Sequence, residues 1–102
     1  MNRVYAADSS KKAEITAILE ADPYSEDSFA RVGYKVKDGS VIDEEKGKVY
    51  VFISASDDFI RKADEKMKDA AELLDEEATE RIAKKIKEEE DAAASGFGDI
   101  FG

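Results

Sequence analysis

The chain contains no cysteine, no histidine and no tryptophan, and it has a single proline. The absence of cysteine excludes structural disulfides, thiolate metal sites and cysteine nucleophiles, and it is compatible with an intracellular location. Without histidine as well, neither a serine-histidine-aspartate triad nor a cysteine-histidine pair can be assembled. The composition therefore excludes hydrolases that use these arrangements.

Long apolar runs are also absent, and no stretch reaches the length that would cross a bilayer. The N-terminal segment is interrupted by charged side chains, so it lacks the apolar core of a secretory signal. These interruptions are Asp8, Lys11, Lys12 and Glu14. We therefore expect a cytoplasmic protein with no membrane association.

Basic residues are fewer than acidic ones: 16 lysines and arginines stand against 25 aspartates and glutamates, and the formal net charge is -9. Most of the excess acid lies after residue 55, and a surface of this sign repels phosphate backbones. Nucleic acid is therefore not an expected partner for the chain as a whole. Abundant glutamate and lysine without cysteine, histidine or tryptophan are typical of a thermophilic or archaeal protein.

The first half of the chain has the periodicity of strands, and 102 residues provide for one domain. Apolar and polar residues alternate from 29 to 37, which predicts a half-buried strand. Asp38-Gly39 favours a tight hairpin turn, after which Val41-Ile42 can return beside that strand. Residues 48–55 carry apolar groups on both faces, which predicts a central strand or a strand covered by a helix.

Residues 13–21 are compatible with either a strand or a helix, because β-branched Ile15, Thr16 and Ile18 occur there together with good helix formers. Whichever element forms should end before Pro23. With that alternative open, residues 1–55 predict a small antiparallel β-meander, arranged as an open sheet or a small barrel.

The second half has helical periodicity. Ser56 is a candidate N-cap, and the apolar stripe that follows has three- and four-residue spacing. This stripe consists of Phe59, Ile60, Ala63, Met67, Ala70, Ala71 and Leu74. Asp75 predicts the start of a second helix, whose apolar stripe ends at Ile86. The fold class is thus predicted to be α+β, with a single domain over 1–87, β-rich to residue 55 and helical from 56. If part of the first apolar stripe, residues 59–74, is left exposed by the fold, it would form a homodimer interface.

No group of side chains has the spacing of a catalytic, metal or nucleotide site. Asp57-Asp58 complement a helix dipole, and residues 43–45 form a solvated acidic turn. The carboxylates Asp22, Glu26 and Asp27 do not match a calcium loop. We therefore predict no enzymatic activity, no metal and no cofactor.

Residues 88–102 carry a different pattern and are predicted to form a flexible tail. An acidic run, 88–91, and small residues, 92–95, precede GFGDIFG. Phe97, Ile100 and Phe101 lie at i, i+3 and i+4, with Asp99 among them. One helical turn formed on binding would therefore place the three apolar side chains on one face, as for a partner's groove. The alternatives are a tail that packs on its own domain, one that packs on a dimer mate, or one that stays unstructured.

The segment from Lys84, KKIKEEEDAAASGFGDIFG, resembles the C-terminal end of archaeal and eukaryotic ribosomal stalk P-proteins. In that family a charged hinge leads to a short apolar terminus, which folds on binding to translational GTPases and related factors. The resemblance implies that Phe97, Ile100 and Phe101 are the anchors and that the run 88–91 is the electrostatic lead-in. The whole chain also resembles a family of small, uncharacterised archaeal proteins, which implies no activity.

Two functions are therefore expected. The first is a non-enzymatic interaction module that displays a C-terminal hydrophobic motif, with translation factors or the ribosome as partners. The second is binding of RNA or a small ligand by the β-rich half, in which case the tail is incidental. The RNA face would consist of Arg31, Lys35 and Lys37, with neighbouring aromatic side chains for base stacking.

Overall fold

The structure, a computed structural model, describes the backbone of residues 1–101 and the side chains of residues 1–92. The described backbone contains four strands: β1 (Asn2–Asp8), β2 (Lys35–Asp38), β3 (Lys48–Ser54) and β4 (Glu72–Leu73). It also contains four α-helices: α1 (Lys12–Glu20), α2 (Phe29–Val32), α3 (Asp57–Met67) and α4 (Glu76–Phe101). A 3-10 turn, Ser9–Lys11, joins β1 to α1. The predicted α+β fold class is confirmed.

The strands form an open antiparallel sheet in the order β2-β3-β1-β4. β1 and β3 pair along their whole length, from Asn2 opposite Ser54 to Asp8 opposite Lys48. β4 adds only two pairs to the other edge of β1. β3 is therefore a central strand, as its two apolar faces predict.

The chain passes through β1, α1, β2, β3, α3 and β4, which is the connectivity of the ferredoxin-like, split β-α-β arrangement. The strand order differs from that of a simple meander because β1 lies between β3 and β4. α4 follows β4 and extends this arrangement by one helix.

Each face of the sheet has its own core, because side chains alternate along the strands. The first core joins the sheet to α1, α2 and α3, and includes Tyr5, Val51, Ile15, Phe29, Phe59, Ile60 and Met67. The second core joins the other face to α4 and the loop after β2, and consists of Val4, Ala6, Ile42, Tyr50, Ile82 and Ile86. The sheet is therefore the middle of three layers.

The strand predicted over 29–37 is wrong in its first half. Residues 29–32 form α2, and Phe29 is buried against Phe59 in an edge-to-face contact with ring centroids 5.6 Å apart. Gly33 separates α2 from β2. Its backbone has φ 82° and ψ 151°, a conformation that residues other than glycine rarely adopt. The alternation of apolar and polar residues from 29 to 37 therefore spans two elements, α2 and β2, and does not mark a single strand.

The return strand predicted at Val41-Ile42 is also wrong. The partner of β2 is β3, and residues 39–47 form the connection between them. Ile42 alone inserts into the second core. The ambiguous segment 13–21 is helical as α1, because Ile15 and Leu19, four residues apart, are both buried on one side.

Both predicted helix starts are confirmed. Ser56 Oγ accepts a hydrogen bond from the Phe59 N–H at 3.3 Å, and Asp75 Oδ1 accepts one from the Ala78 N–H at 2.8 Å. α3 ends at Met67 rather than near Leu74, because the chain turns there and residues 72–73 pair with β1. α4 continues past Ile86, the last residue of its apolar stripe, and its backbone is helical to Phe101, whereas the sequence predicts a flexible tail from residue 88.

Candidate functional site

α4 is held against the sheet by apolar contacts and by two clusters of charged side chains. Ile82 and Ile86, one turn apart, are each about 1% exposed and fill the second core. Their spacing of four residues places both side chains on the face of α4 that meets the sheet. One charged cluster uses Arg81 and Lys85 of α4, and the other uses Glu89 and Glu90.

The first charged cluster surrounds Glu44 in the loop between β2 and β3. Its carboxylate accepts hydrogen bonds from Arg81 Nε at 3.2 Å, from Arg81 Nη2 at 3.3 Å and from Lys85 Nζ. Lys85 Nζ also donates to the Asp43 carbonyl at 2.9 Å. Burial acts to raise the pKa of Glu44, but the hydrogen bonds from Lys85 and Arg81 outweigh it and hold the pKa below its usual value.

Acid should weaken this cluster. Because the pKa of Glu44 is lower in the folded than in the unfolded chain, its contribution to stability is complete above the ordinary carboxyl range. That contribution is lost as the pH falls from about 4.3 through the folded-state pKa. We expect Glu44→Gln to reduce the free energy of unfolding at pH 7 and to flatten its decline between about pH 5 and 3. Urea unfolding of both proteins across this range measures the difference. Parallel pH curves would contradict the assignment.

The second charged cluster joins α4 to β2. Lys37 Nζ lies 2.9 Å from Glu89 Oε2 and 3.7 Å from Glu90 Oε1, and Lys35 Nζ pairs with Glu90. The hydrogen bond to Glu89 raises the pKa of Lys37, and the hydrogen bond from Lys35 lowers the pKa of Glu90. Residues 89 and 90, assigned to the tail from sequence, are thus contacts of α4 with the sheet.

The predicted RNA face is divided by this cluster. Lys35 and Lys37 have acidic partners on α4, whereas Arg31 is exposed in the last turn of α2. Of the aromatic side chains, Tyr5 and Tyr50 are buried in opposite cores, and Tyr24 is exposed in the loop before α2. Stacking of RNA bases on a sheet requires an open face, and here helices cover both.

A groove remains between α4 and the edge of the sheet, with a volume of about 450 Å³. Its floor is apolar and consists of Phe52, Ala83 and Ile86. Its rim is mainly basic and carries Lys35, Lys84 and Lys87, with Asn2 and Glu80 also lining it. We call this feature the α4 groove. Sequence reasoning missed it, because its lining residues come from β1, β2, β3 and α4 and no local pattern links them.

A partly buried polar network connects β1 to α3 on the other side of the sheet. Asp64 accepts hydrogen bonds from Tyr5 Oη at 2.6 Å, Arg3 Nε at 3.1 Å and Arg3 Nη2 at 3.0 Å. Burial, together with the Asp64 carboxylate, raises the pKa of Tyr5 far above its ordinary value, so the phenol remains a proton donor. The network holds α3 on the sheet, and the Asp64 carboxylate is occupied by its hydrogen bonds from Tyr5 and Arg3.

The predicted partner-binding residues, Phe97, Ile100 and Phe101 with Asp99, have side chains outside the described residues. Within residues 1–92, no three acidic side chains are grouped closely enough to hold a metal ion. Nor is any helix of the described chain long and apolar enough to cross a membrane. Along the chain, the pairs of Glu89 and Glu90 are the last ion pairs that the structure describes before segment 97–101.

Comparisons of the chain with protein-family models, with curated proteins and with solved structures found no match.

Proposed function

We propose that this protein is a non-enzymatic interaction module, in which the α+β domain presents the hydrophobic segment 97–101 to a partner protein. The observation that carries the proposal is the spacing of Phe97, Ile100 and Phe101 at i, i+3 and i+4. One helical turn aligns these three side chains for a hydrophobic groove, and burying each contributes about 1.5–3 kcal/mol before the cost of ordering.

The described domain supports this proposal because it anchors α4 a short distance before the segment. The pairs of Glu89 with Lys37 and of Glu90 with Lys35 fix the helix to β2, seven residues before Phe97. Two acidic residues of the run, Glu88 and Asp91, remain exposed. These carboxylates would accelerate encounter with a basic surface on the partner.

The resemblance of residues 84–102 to the stalk P-proteins directs the proposal to a class of partner. We propose a translational GTPase or a related factor of the cytoplasm, with an apolar groove bordered by basic side chains. The α+β domain itself would then serve to hold α4, because both faces of its sheet are already covered.

Binding to a purified archaeal translational elongation factor tests this function. Phe97→Ser and Phe101→Ser should each weaken the affinity of the full chain by about 10- to 100-fold, the equivalent of about 1.5–3 kcal/mol. Calorimetric titration measures the affinity, and the midpoint of thermal unfolding should be unchanged. Tyr24→Ser is the matched control, because this aromatic side chain is 95% exposed elsewhere on the surface and should not affect binding.

Two results would contradict this function. Equal affinities for the parent chain and the two phenylalanine variants would show that the segment is not the contact. Absence of binding to the elongation factor would remove that class of partner. The alternative, RNA binding by the β-rich half, requires instead that Lys35→Glu or Lys37→Glu abolish RNA binding while the phenylalanine variants retain it.

A further inference from the structure

The α4 groove combines an apolar floor with a rim of three lysines and one glutamate, in a chain that is acidic overall. Lys84 and Lys87, on adjacent turns of α4, have no acidic side chain within ion-pair distance among residues 1–92. Lys35 shares the rim and is paired with Glu90. A suitable occupant therefore has an apolar body and a carboxylate placed to meet the two lysines.

The chain itself contains a segment of this chemistry. In residues 97–101, Asp99 lies between aromatic and aliphatic side chains. We propose that the α4 groove of one copy binds segment 97–101 of a second copy, with Asp99 opposite Lys84 and Lys87. This inference uses the same segment as the proposed function, so self-association would compete with binding of a partner.

The geometry of α4 favours a second copy over the segment of the same copy. Lys84 and Asp99 belong to one helix, and at 1.5 Å per residue they lie about 22 Å apart along its axis. The segment therefore reaches its own groove only if the helix between them opens. A neighbouring α4 needs no such change.

An antiparallel pair of α4 helices has a register that brings the charged groups together. With the two-fold axis between residues 91 and 92, Lys84 of each copy lies at the level of Asp99 of the other. The acidic run 88–91 then lies opposite the small residues 92–95, and the two runs approach each other only at Asp91, beside the axis. The contact is isologous, so it closes with two copies.

The test is the oligomeric state of the full chain, measured by sedimentation equilibrium from micromolar to millimolar concentration. We expect a monomer-dimer equilibrium whose dissociation constant rises at least 10-fold in Lys84→Glu/Lys87→Glu and in Phe97→Ser. The matched control, Lys11→Glu/Lys46→Glu, makes the same change in charge at exposed sites outside the groove and should affect dimerisation much less. Adding Asp99→Lys to Lys84→Glu/Lys87→Glu should restore the dimer.

A monomer at every concentration overturns the inference, as does a dimer that is insensitive to Lys84→Glu/Lys87→Glu. Equal weakening by the control pair would attribute the effect to net charge and would also overturn it. The same variants separate this inference from the proposed function. Because it releases segment 97–101 from the dimer, Lys84→Glu/Lys87→Glu should leave binding to the elongation factor undiminished or tighter, whereas Phe97→Ser weakens both. Dimerisation without binding to the factor would retain the groove and reject the proposed partner.

Discussion

Replacing Ile82 by alanine should lower the free energy of unfolding by about 2–5 kcal/mol. Ile82 is about 1% exposed and packs between α4 and the second face of the sheet, in the same core as Ile86 and Val4. Truncation removes apolar area from this core and leaves a cavity, which the neighbouring layers fill only in part. The effect is large because, among the side chains that the structure describes, α4 contributes two residues to the buried members of that core, Ile82 and Ile86.

Urea unfolding measures this loss, with Lys84→Ala as the control on the same helix. Lys84 is exposed, so its truncation should change the free energy of unfolding by no more than about 0.5 kcal/mol. A loss below about 1 kcal/mol for Ile82→Ala would show that α4 is not a firm cover for the sheet. In that case both the presentation of segment 97–101 and the α4 groove would lose their structural basis.

Gly39→Ala should destabilise the protein by about 1–3 kcal/mol, even though alanine restricts the unfolded chain more than glycine does. A β-carbon at this position would lie 2.0 Å from the carbonyl oxygen of Glu45 and 2.9 Å from its carbonyl carbon. Both are backbone atoms of the same loop, so relief of the overlap requires the loop to move. Such movement would displace Glu44 from Arg81 and Lys85.

Destabilisation by Gly39→Ala would be the opposite of the usual effect of replacing glycine with alanine. The backbone of Gly39 is not in the left-handed region, and at such a position alanine ordinarily stabilises a protein by about 0.4–1 kcal/mol. The close approach of the Glu45 backbone is what reverses the sign. Thermal and urea unfolding of Gly39→Ala, with Ser40→Ala as the exposed neighbour, distinguish the two results. Stabilisation would mean that the loop does not pass this close to Gly39.

The features predicted correctly from sequence are those that depend on near neighbours. Ser56 and Asp75 cap helices through contacts three residues away, so the local pattern is sufficient to identify them. The apolar residues on both faces of β3 likewise predict that this strand is covered on both sides, as it is by the two cores. These signals are contained in the segments themselves and do not depend on the remainder of the fold.

The features missed from sequence depend on distant contacts. Residues 72–73 have no strand pattern and become β4 only because β1 presents a free edge there. Phe29 is helical because it packs on Phe59 and because Gly33 redirects the chain, whereas the alternation of side chains indicates a strand. In both cases tertiary packing overrides the local preference.

The candidate site shows the same division. The anchors of segment 97–101 and the acidic run before them follow from spacing and composition. The pairing of Glu89 and Glu90 with Lys37 and Lys35 does not, because more than fifty residues separate the partners. Charges that look solvated in each segment become the attachment of α4 to β2.

The place of β1 in the sheet has a consequence for the order in which the chain can fold. This strand is made before the other three, yet it lies in the centre of the sheet, with Asn2 opposite Ser54 and Tyr5 opposite Leu73. The β2-β3 hairpin can form across a short loop, whereas β1 can pair only after β3 and β4 have been made. Pairing over such sequence separations carries an entropic cost and slows folding. The apolar residues 4–7 therefore remain without their β3 partners until residues 49–52 have been made, and during that interval this strand is open to chaperones and to misassociation.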